Sequence, residues 1–446
     1  MRRMRWLGAL AVCALFFAAC GDDDDGDGGA TPTSGSEGGG GDTTEAPDLS
    51  GQSIEVAAVW SAGSDEQPNF EAVLDLFEQQ TGASVTFVST GDDIAAVLGT
   101  RIQGGDPPDV ALLPQPGLLR DLVRQGALIP IDDFAGDLVD ENFDPLWREL
   151  GSVDGELYGV YYKVANKSTF WYRPDVLADA GVDPPEDWDG LIEVAQTVSD
   201  SGVTPLSLAG GDAWTLTDWF ENVYLRTAGP DMYDQLATHE IPWTDQSVVD
   251  ALTLLADLWS RPNFVAPGST TALFTESVAL VFNDPPGAAM VFEGDFAAGT
   301  IRAETTATLG ENADFFPFPS IDGSPPAVIA GGDVAVMLSD NPAARELIRF
   351  LASPEAAEVW VERGGFTSPN KNVDLNRYPD DIARRAAEQL IEAEDLRYDL
   401  ADLQPAAFGS TPAQGMWKIL QDFLANPSNP QATAQQLEAA AAAAYG

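Results

Sequence analysis

The sequence predicts an α/β protein built as two lobes joined by a hinge, and three observations carry that reading. At 446 residues the chain is longer than one hydrophobic core serves well. From residue 54 onward short apolar strands alternate with helical patterns, the arrangement of βαβ units on a mostly parallel sheet. Two extended aromatic stretches in mid-chain, Leu157-Tyr158-Gly159-Val160-Tyr161-Tyr162-Lys163 and Thr169-Phe170-Trp171-Tyr172, lead into new helices after Pro174 and Trp188, which marks a passage from one lobe into the next.

The chain opens with Met1-Arg2-Arg3-Met4-Arg5, an apolar run over residues 6–19 and then Cys20, the three regions of a secretory signal. The run is too short to span a membrane, which needs roughly 20 apolar residues. Residues 1–19 are therefore expected to be a signal peptide. Ala18-Ala19-Cys20 resembles the bacterial lipobox, which implies cleavage before Cys20 and acylation of its thiol; Phe17 stands where that motif usually has Leu. Residues 20–49 contain little to bury and are expected to form a disordered, acidic tether. Asp23-x-Asp25-x-Asp27-Gly28 begins like an EF-hand loop, but Ser34 stands where the bidentate carboxylate is required, so calcium is not expected there.

In the body, Ile54-Glu55-Val56-Ala57-Ala58-Val59-Trp60 reads as a strand, and Phe70, Val73, Leu74, Leu76 and Phe77 as one face of a helix that stops at Gly82. A strand over 84–88, a helix over 93–103, the turn Gly104-Gly105-Asp106-Pro107-Pro108, a strand over 109–113 and a helix over 118–125 continue the alternation. A later strand pair, 314–319 and 327–337, is expected to return the chain to the first lobe, and the helices from Pro342 onward to rejoin the second. The first lobe is thus assigned residues 50–164 and 316–342, and the second 165–315 and 343–446. The alanine-rich end, 431–444, has the composition of a packing helix.

Composition excludes much chemistry. A formal charge of −49 repels phosphate backbones, so nucleic acid is not an expected partner. Cys13 leaves with the signal and Cys20 is taken by lipid, so the folded body keeps no thiol. His239 is the one histidine, which leaves triads and histidine-ligated metals without residues. No cofactor and no metal are expected.

Several phrases together then resemble a known family: Phe77-Glu78-Gln79-Gln80-Thr81-Gly82, Gly104 to Val110, Pro114-Gln115-Pro116-Gly117, Gly126-Ala127-Leu128-Ile129-Pro130-Ile131-Asp132-Asp133, Met290-Val291-Phe292-Glu293-Gly294-Asp295-Phe296, Gly331-Gly332-Asp333 and Phe350-Leu351-Ala352-Ser353-Pro354-Glu355. Their order and spacing are similar to the extracellular solute-binding proteins of carbohydrate ABC importers, and the phrases at 114–117 and 399–405 are similar to the maltose and α-glucoside branch. The resemblance implies a type II periplasmic-binding-protein fold with a ligand cleft between the lobes, a lipoprotein on the outer face of the bacterial cell membrane and a monomer. It also implies delivery of a small carbohydrate to the permease subunits of an ABC importer, with no enzymatic activity.

A sugar has apolar C–H faces and a rim of hydroxyls, so its site should join aromatic platforms to fixed polar groups. Trp60 ends the first strand, where ligands gather in open parallel sheets. Trp214 and Trp219 flank Asp218 where a helix follows a glycine turn, and the resemblance adds Trp417. Candidates for hydroxyl recognition are Glu66, Asp92, Gln115, Glu293, Asp295 and Asp333 with Gly332 beside it; Tyr162 and Asn166 stand at the crossing. Core packing is the competing role for each tryptophan and is the one expected of Trp147, Trp243, Trp259 and Trp360. Two other functions share these features: a secreted glycosidase using paired carboxylates, and the same fold binding a cationic solute such as a polyamine.

Overall fold

Among the described residues, twelve strands form two main sheets and one small hairpin. They are β1 (Ser53–Ala58), β2 (Ser84–Ser89), β3 (Val110–Leu113), β4 (Ser152–Val153), β5 (Glu156–Leu157), β6 (Gly159–Asn166), β7 (Thr169–Tyr172), β8 (Leu206–Ser207), β9 (Met290–Phe292), β10 (Asp314–Pro317), β11 (Val328–Met337) and β12 (Leu396–Tyr398). The computed structural model describes residues 47–61 and 66–446. The expected signal peptide, Cys20, the aspartate run at 23–28 and all but the last residues of the tether lie outside the described residues.

The first sheet runs β12-β11-β3-β1-β2, with β6 paired to β11. β1 is parallel to β2 and β3, as the alternation of strands and helices predicts, whereas β11 is antiparallel to both β3 and β6. All four residues of β3 are buried, in keeping with its place inside the sheet. The helix Glu66–Thr81 buries Phe70, Val73, Leu74 and Phe77 at the spacing of one helical face and gives way to Gly82 at φ +74°. The second sheet, β10-β7-β9-β8, is smaller. Its core is aromatic: Phe170 of β7 stacks on Phe316 of β10, with centroids 5.1 Å apart. The C-terminal helix Pro430–Tyr445 buries Thr433, Ala434, Leu437 and Ala441 against this second core.

The lobes interleave differently from the sequence-based assignment. β10 stays with the second sheet, held by its ladder to β7 and the Phe170–Phe316 stack, so only β11 returns to the first. The helices Pro342–Leu351 and Pro354–Val361, expected in the second lobe, bury Ala344, Leu347, Ile348 and Trp360 in the first core. The short link after β11 brings the first of them directly back onto the sheet it has just left, and its apolar stripe faces that way. The helix Asp381–Ile391 is shared: Ile382 and Ala386 join a small cluster around Trp171, while Ala387 and Leu390 join the first core. From Leu400 onward the chain belongs to the second core, as expected.

Three segments cross between the sheets: Lys167-Ser168 after β6, the stretch from β10 to β11, and Asp399 after β12. All three meet at the start of β11. Ala330 pairs with Asn166 on one side and Tyr398 on the other, Lys167 N donates to Ile329 O at 2.8 Å, and Asp399 N donates to Ala330 O at 2.8 Å. Ser168 ties the second crossing to the first, since its carbonyl accepts from Phe318 N and its hydroxyl accepts from Ile329 N.

Gly332, expected near the ligand, serves the strands instead. A Cβ there would lie 2.6 Å from the carbonyl oxygen of Lys163 on β6, beside the register shift at Asp333 and Val334. Only a residue without a side chain lets the two backbones pass so closely. Gly332→Ala should therefore lower the unfolding free energy by about 1–3 kcal/mol, measured by denaturant titration; an unchanged midpoint would show that the strands can spread at no cost.

Candidate functional site

The carboxyl ends of the parallel strands carry three of the expected residues: Trp60 follows β1, Asp92 lies in the turn after β2, and Gln115 precedes the helix Pro116–Arg124 after β3. Trp60 is buried edge-on against Phe70 and Trp360, with centroids 4.9 and 5.0 Å away. Gln115 is buried in its main part, and Asp92 is exposed.

Lys163 joins this edge to the second lobe. Its ammonium donates to Glu66 at 2.7 Å and lies 3.8 Å from Asp333. It is also 5.9 Å from the Trp60 and Trp360 rings and 5.8 Å from the ring of Phe296, which follows β9 in the second lobe. Burial alone would depress the ammonium, but Glu66 and Asp333 outweigh it and hold Lys163 above its ordinary range. Phe296 in turn packs with Trp214 and Phe274 in a triangle of tilted rings, with centroids 5.4 to 5.8 Å apart, and all three rings remain partly accessible. Trp60, Glu66 and Asp333 of the first lobe thus meet Phe296 of the second around one ammonium.

The turn after β9 places two more acids. Asp295 accepts from the Thr367 hydroxyl at 2.7 Å, and its N–H donates to Asn166 O at 2.9 Å. Burial pushes Asp295 and Asp333 up to about 6. Glu293 is 1 % exposed, and its Oε2 has no hydrogen-bond partner among the described residues. Burial, then the charge of Asp218, raises it well above the ordinary carboxylate range. Such an orphan costs about 1–3 kcal/mol. Asp92 and Asp212, from opposite lobes, also lack basic partners: surrounding protein and then the charge of Asp212 raise Asp92, and burial raises Asp212.

Behind this group sits a second lysine. The ammonium of Lys167 bonds Asp399 and, at 3.1 Å, Asp218, and lies 5.6 Å from the Trp214 ring. Burial opposes its charge, but Asp218 and Asp399 hold it well above the usual lysine range. Asp399 acts as the anion of the pair and is held low. Burial and the neighbouring Asp399 push Asp218 up to about 8. Oxygens of Asp218, Glu221 and Asp399 approach within 4.8 Å of one another, a spacing that suits a cation. That place is served by the Lys167 ammonium, and both Glu221 oxygens are taken by the N–H groups of Leu400 and Ala401 at 2.9 Å.

Other expected residues do not face this group. Trp219 is 1 % exposed and packs against Phe292 and Phe170, because five helical residues turn it to the opposite face from Trp214. Trp417 lies in the second core. Tyr162 is buried among Phe70, Trp360 and Phe366, and its hydroxyl is used on Ala356 O at 2.9 Å. Asn166 spends its amide on Gln389 and Ala386 and its side-chain oxygen on Ser168 N. These four act in packing and at the crossing. Trp147, Trp243, Trp259 and Trp360 are buried as expected. Lys163, Lys167, Asp212, Phe274, Phe296 and Asp399 were not among the candidates. The available signal was rarity, for two of the chain's four lysines fall within five residues at the crossing.

The family pattern described as bacterial extracellular solute-binding protein matches residues 62–358. This chain belongs to that family. As a solute-binding protein it is 35 % identical, over 82 % of its length and 88 % of the relative's, to the osmoprotective compounds-binding protein GgtB of Synechocystis sp.. It is 31 % identical to the alpha-glucosides-binding periplasmic protein AglE of Rhizobium meliloti, over 87 % of this chain and 86 % of the other. Among solved structures it resembles the bacterial solute receptor AcbH, with TM-score 0.77, 20 % identity and coverage of 89 % and 100 % of the two chains. It also resembles maltose-bound MalE3 of T. maritima, with TM-score 0.70, 19 % identity and coverage of 87 % and 98 %. The fold of this solute-binding protein is that of the type II periplasmic binding proteins.

The raised acids set a pH dependence. Folded Asp295, Asp333 and Asp218 keep protons that an unfolded chain, with aspartates near 3.8, releases, so between about 4 and about 8 the folded state binds more protons. Stability should fall as pH rises through that window. Asp399 acts in the opposite sense, but only below 3.8. In denaturant titrations across the window Asp218→Asn should show a shallower decline than the parent; a parent stability that climbs from pH about 6 to about 8 would contradict the assignment.

Proposed function

We propose that this protein is the ligand-capturing lipoprotein of an ABC importer for a small carbohydrate, an α-glucoside or another short oligosaccharide. The observation that carries the reading is the unpartnered, buried Oε2 of Glu293, which feels the charges of Asp218 and Lys167, together with the accessible rings of Trp214, Phe274 and Phe296, the first of them 5.6 Å from that same Lys167 ammonium. An aromatic surface suits the C–H face of a sugar, and an unused carboxyl suits its hydroxyls. Asp92, Gln115, Glu66 and Asp333 would meet the ligand from the first lobe, and Asp218, Glu293 and Asp295 from the second. The names of AglE, for alpha-glucosides, and GgtB, for osmoprotective compounds, support a small solute of this class. Contacts made from both lobes would stabilise the form in which they are brought together, shifting a pre-existing balance. The permease would read that form.

The signal-like opening and Cys20 support export and attachment by lipid to the outer face of the cell membrane. Cys20→Ala should release the protein from the membrane fraction and abolish incorporation of labelled palmitate; retention of the label would place the anchor elsewhere.

Calorimetric titration with maltose, trehalose and sucrose tests the ligand class. At least one should bind stoichiometrically without being hydrolysed, and Trp214→Ala should weaken it about tenfold or more while the unfolding midpoint moves little. Full affinity in that variant would remove Trp214 from the site.

A further inference from the structure

Resting on the carbohydrate reading, we infer that the cleft sorts its ligands by charge: it takes neutral or amine-bearing polyols and rejects derivatives of the same sugar that carry a carboxylate or phosphate. The basic groups among the residues brought together are Lys163 and Lys167, and each already holds two carboxylates. Lys163 lies between Glu66 and Asp333, and Lys167 between Asp218 and Asp399. An anionic ligand could reach an ammonium only by displacing a carboxylate of the protein itself. Two further acids, Asp92 and Asp212, come from opposite lobes and stand without a basic partner among the described residues, and a third, Glu293, forms no ion pair there and feels Lys167 only as an opposing influence weaker than burial and Asp218.

Glu293 is the sharpest element of this arrangement. Its Oε2 is buried and receives no donor among the described residues, and Asp218, Lys167 and Asp212 are all close enough for their charges to be felt. The other oxygen of Asp218, Oδ2, likewise receives no N–H or O–H donor. A hydroxyl or an ammonium of the ligand would satisfy these oxygens. A carboxylate or phosphate would add like charge in a place where the protein's own acids already tend to retain protons. The accessible rings of Trp214 and Phe296 favour the same choice, because the faces of aromatic rings attract cations and C–H groups and repel anions.

The test compares one scaffold in several charge states on the full chain. The neutral sugar that binds in the titrations above is offered beside its 6-amino, 6-carboxylate and 6-phosphate derivatives at pH 7. The neutral and amino forms should bind within about tenfold of each other, and the anionic forms at least about 100-fold more weakly. Glu66→Gln, which frees the Lys163 ammonium of one of its two carboxylates, should narrow the gap between neutral and anionic forms about tenfold or more. Asp92→Asn, which alters an exposed residue, gives the same readout should Glu66→Gln fail to fold. An anionic derivative that binds within tenfold of the neutral sugar overturns the charge selection and leaves the carbohydrate reading in place, as does a gap that neither variant changes. Failure of every neutral and amino sugar to bind overturns both.

Discussion

The ammonium of Lys167, held between Asp218 and Asp399, is the interaction on which the arrangement of the molecule depends. Lys167 stands in the first crossing, Asp399 in the third, and Asp218 on the helix Trp214–Ala228 of the second lobe. One charge therefore ties two of the three connections to the helix that begins with Trp214. Burying a charge this deeply is costly unless its partners are well placed, and here they are supplied in excess. The surplus is absorbed by burial, which leaves Asp218 inclined to keep its proton while Asp399 serves as the anion. Lys163 repeats the pattern at the other side of the cleft with Glu66 and Asp333. The two lysines are four positions apart, and between them they hold four carboxylates drawn from both lobes.

The same construction explains how a buried polar group can be left unsatisfied. A buried carboxyl without a partner, such as Glu293, persists only where the surrounding structure fixes it, and two ladders of β9 with Thr169 bonded to the Glu293 carbonyl do so. Phe274 and Phe296 brace Trp214 from two sides, so this partly accessible ring is held in place by its neighbours. Binding then has little side-chain freedom left to remove at this ring.

Much of the fold was legible because local patterns and tertiary demands agree. The alternation from Ile54 to Leu113 gives β1, β2 and β3 in the places expected, and the aromatic stretches at 157–172 are indeed the first crossing. Trp60, Trp214, Glu293 and Asp295 stand out in the sequence because they follow strands or a glycine turn, whereas Asp333, inside β11, stands out only through the family resemblance. Which face of an element looks into the cleft was not legible. Trp214 and Trp219 share one helix and one composition, and only the packing of Phe170, Phe292 and Phe318 decides that the second ring goes inward. Lobe membership after β11 failed for a related reason: helical periodicity shows that the segment 342–351 has an apolar face but not which sheet it covers. The roles of Lys163 and Lys167 rest on carboxylates up to 232 positions away in sequence, which no local pattern reveals.

The interleaving of the two halves has a consequence for how the molecule can be divided or rearranged. The first sheet draws its last two strands from beyond the second lobe's β7 to β10, and the helix Asp381–Ile391 contributes side chains to two clusters at once. No single cut in the polypeptide liberates a complete half. A fragment ending anywhere between residues 172 and 396 strands at least one unfinished sheet or core.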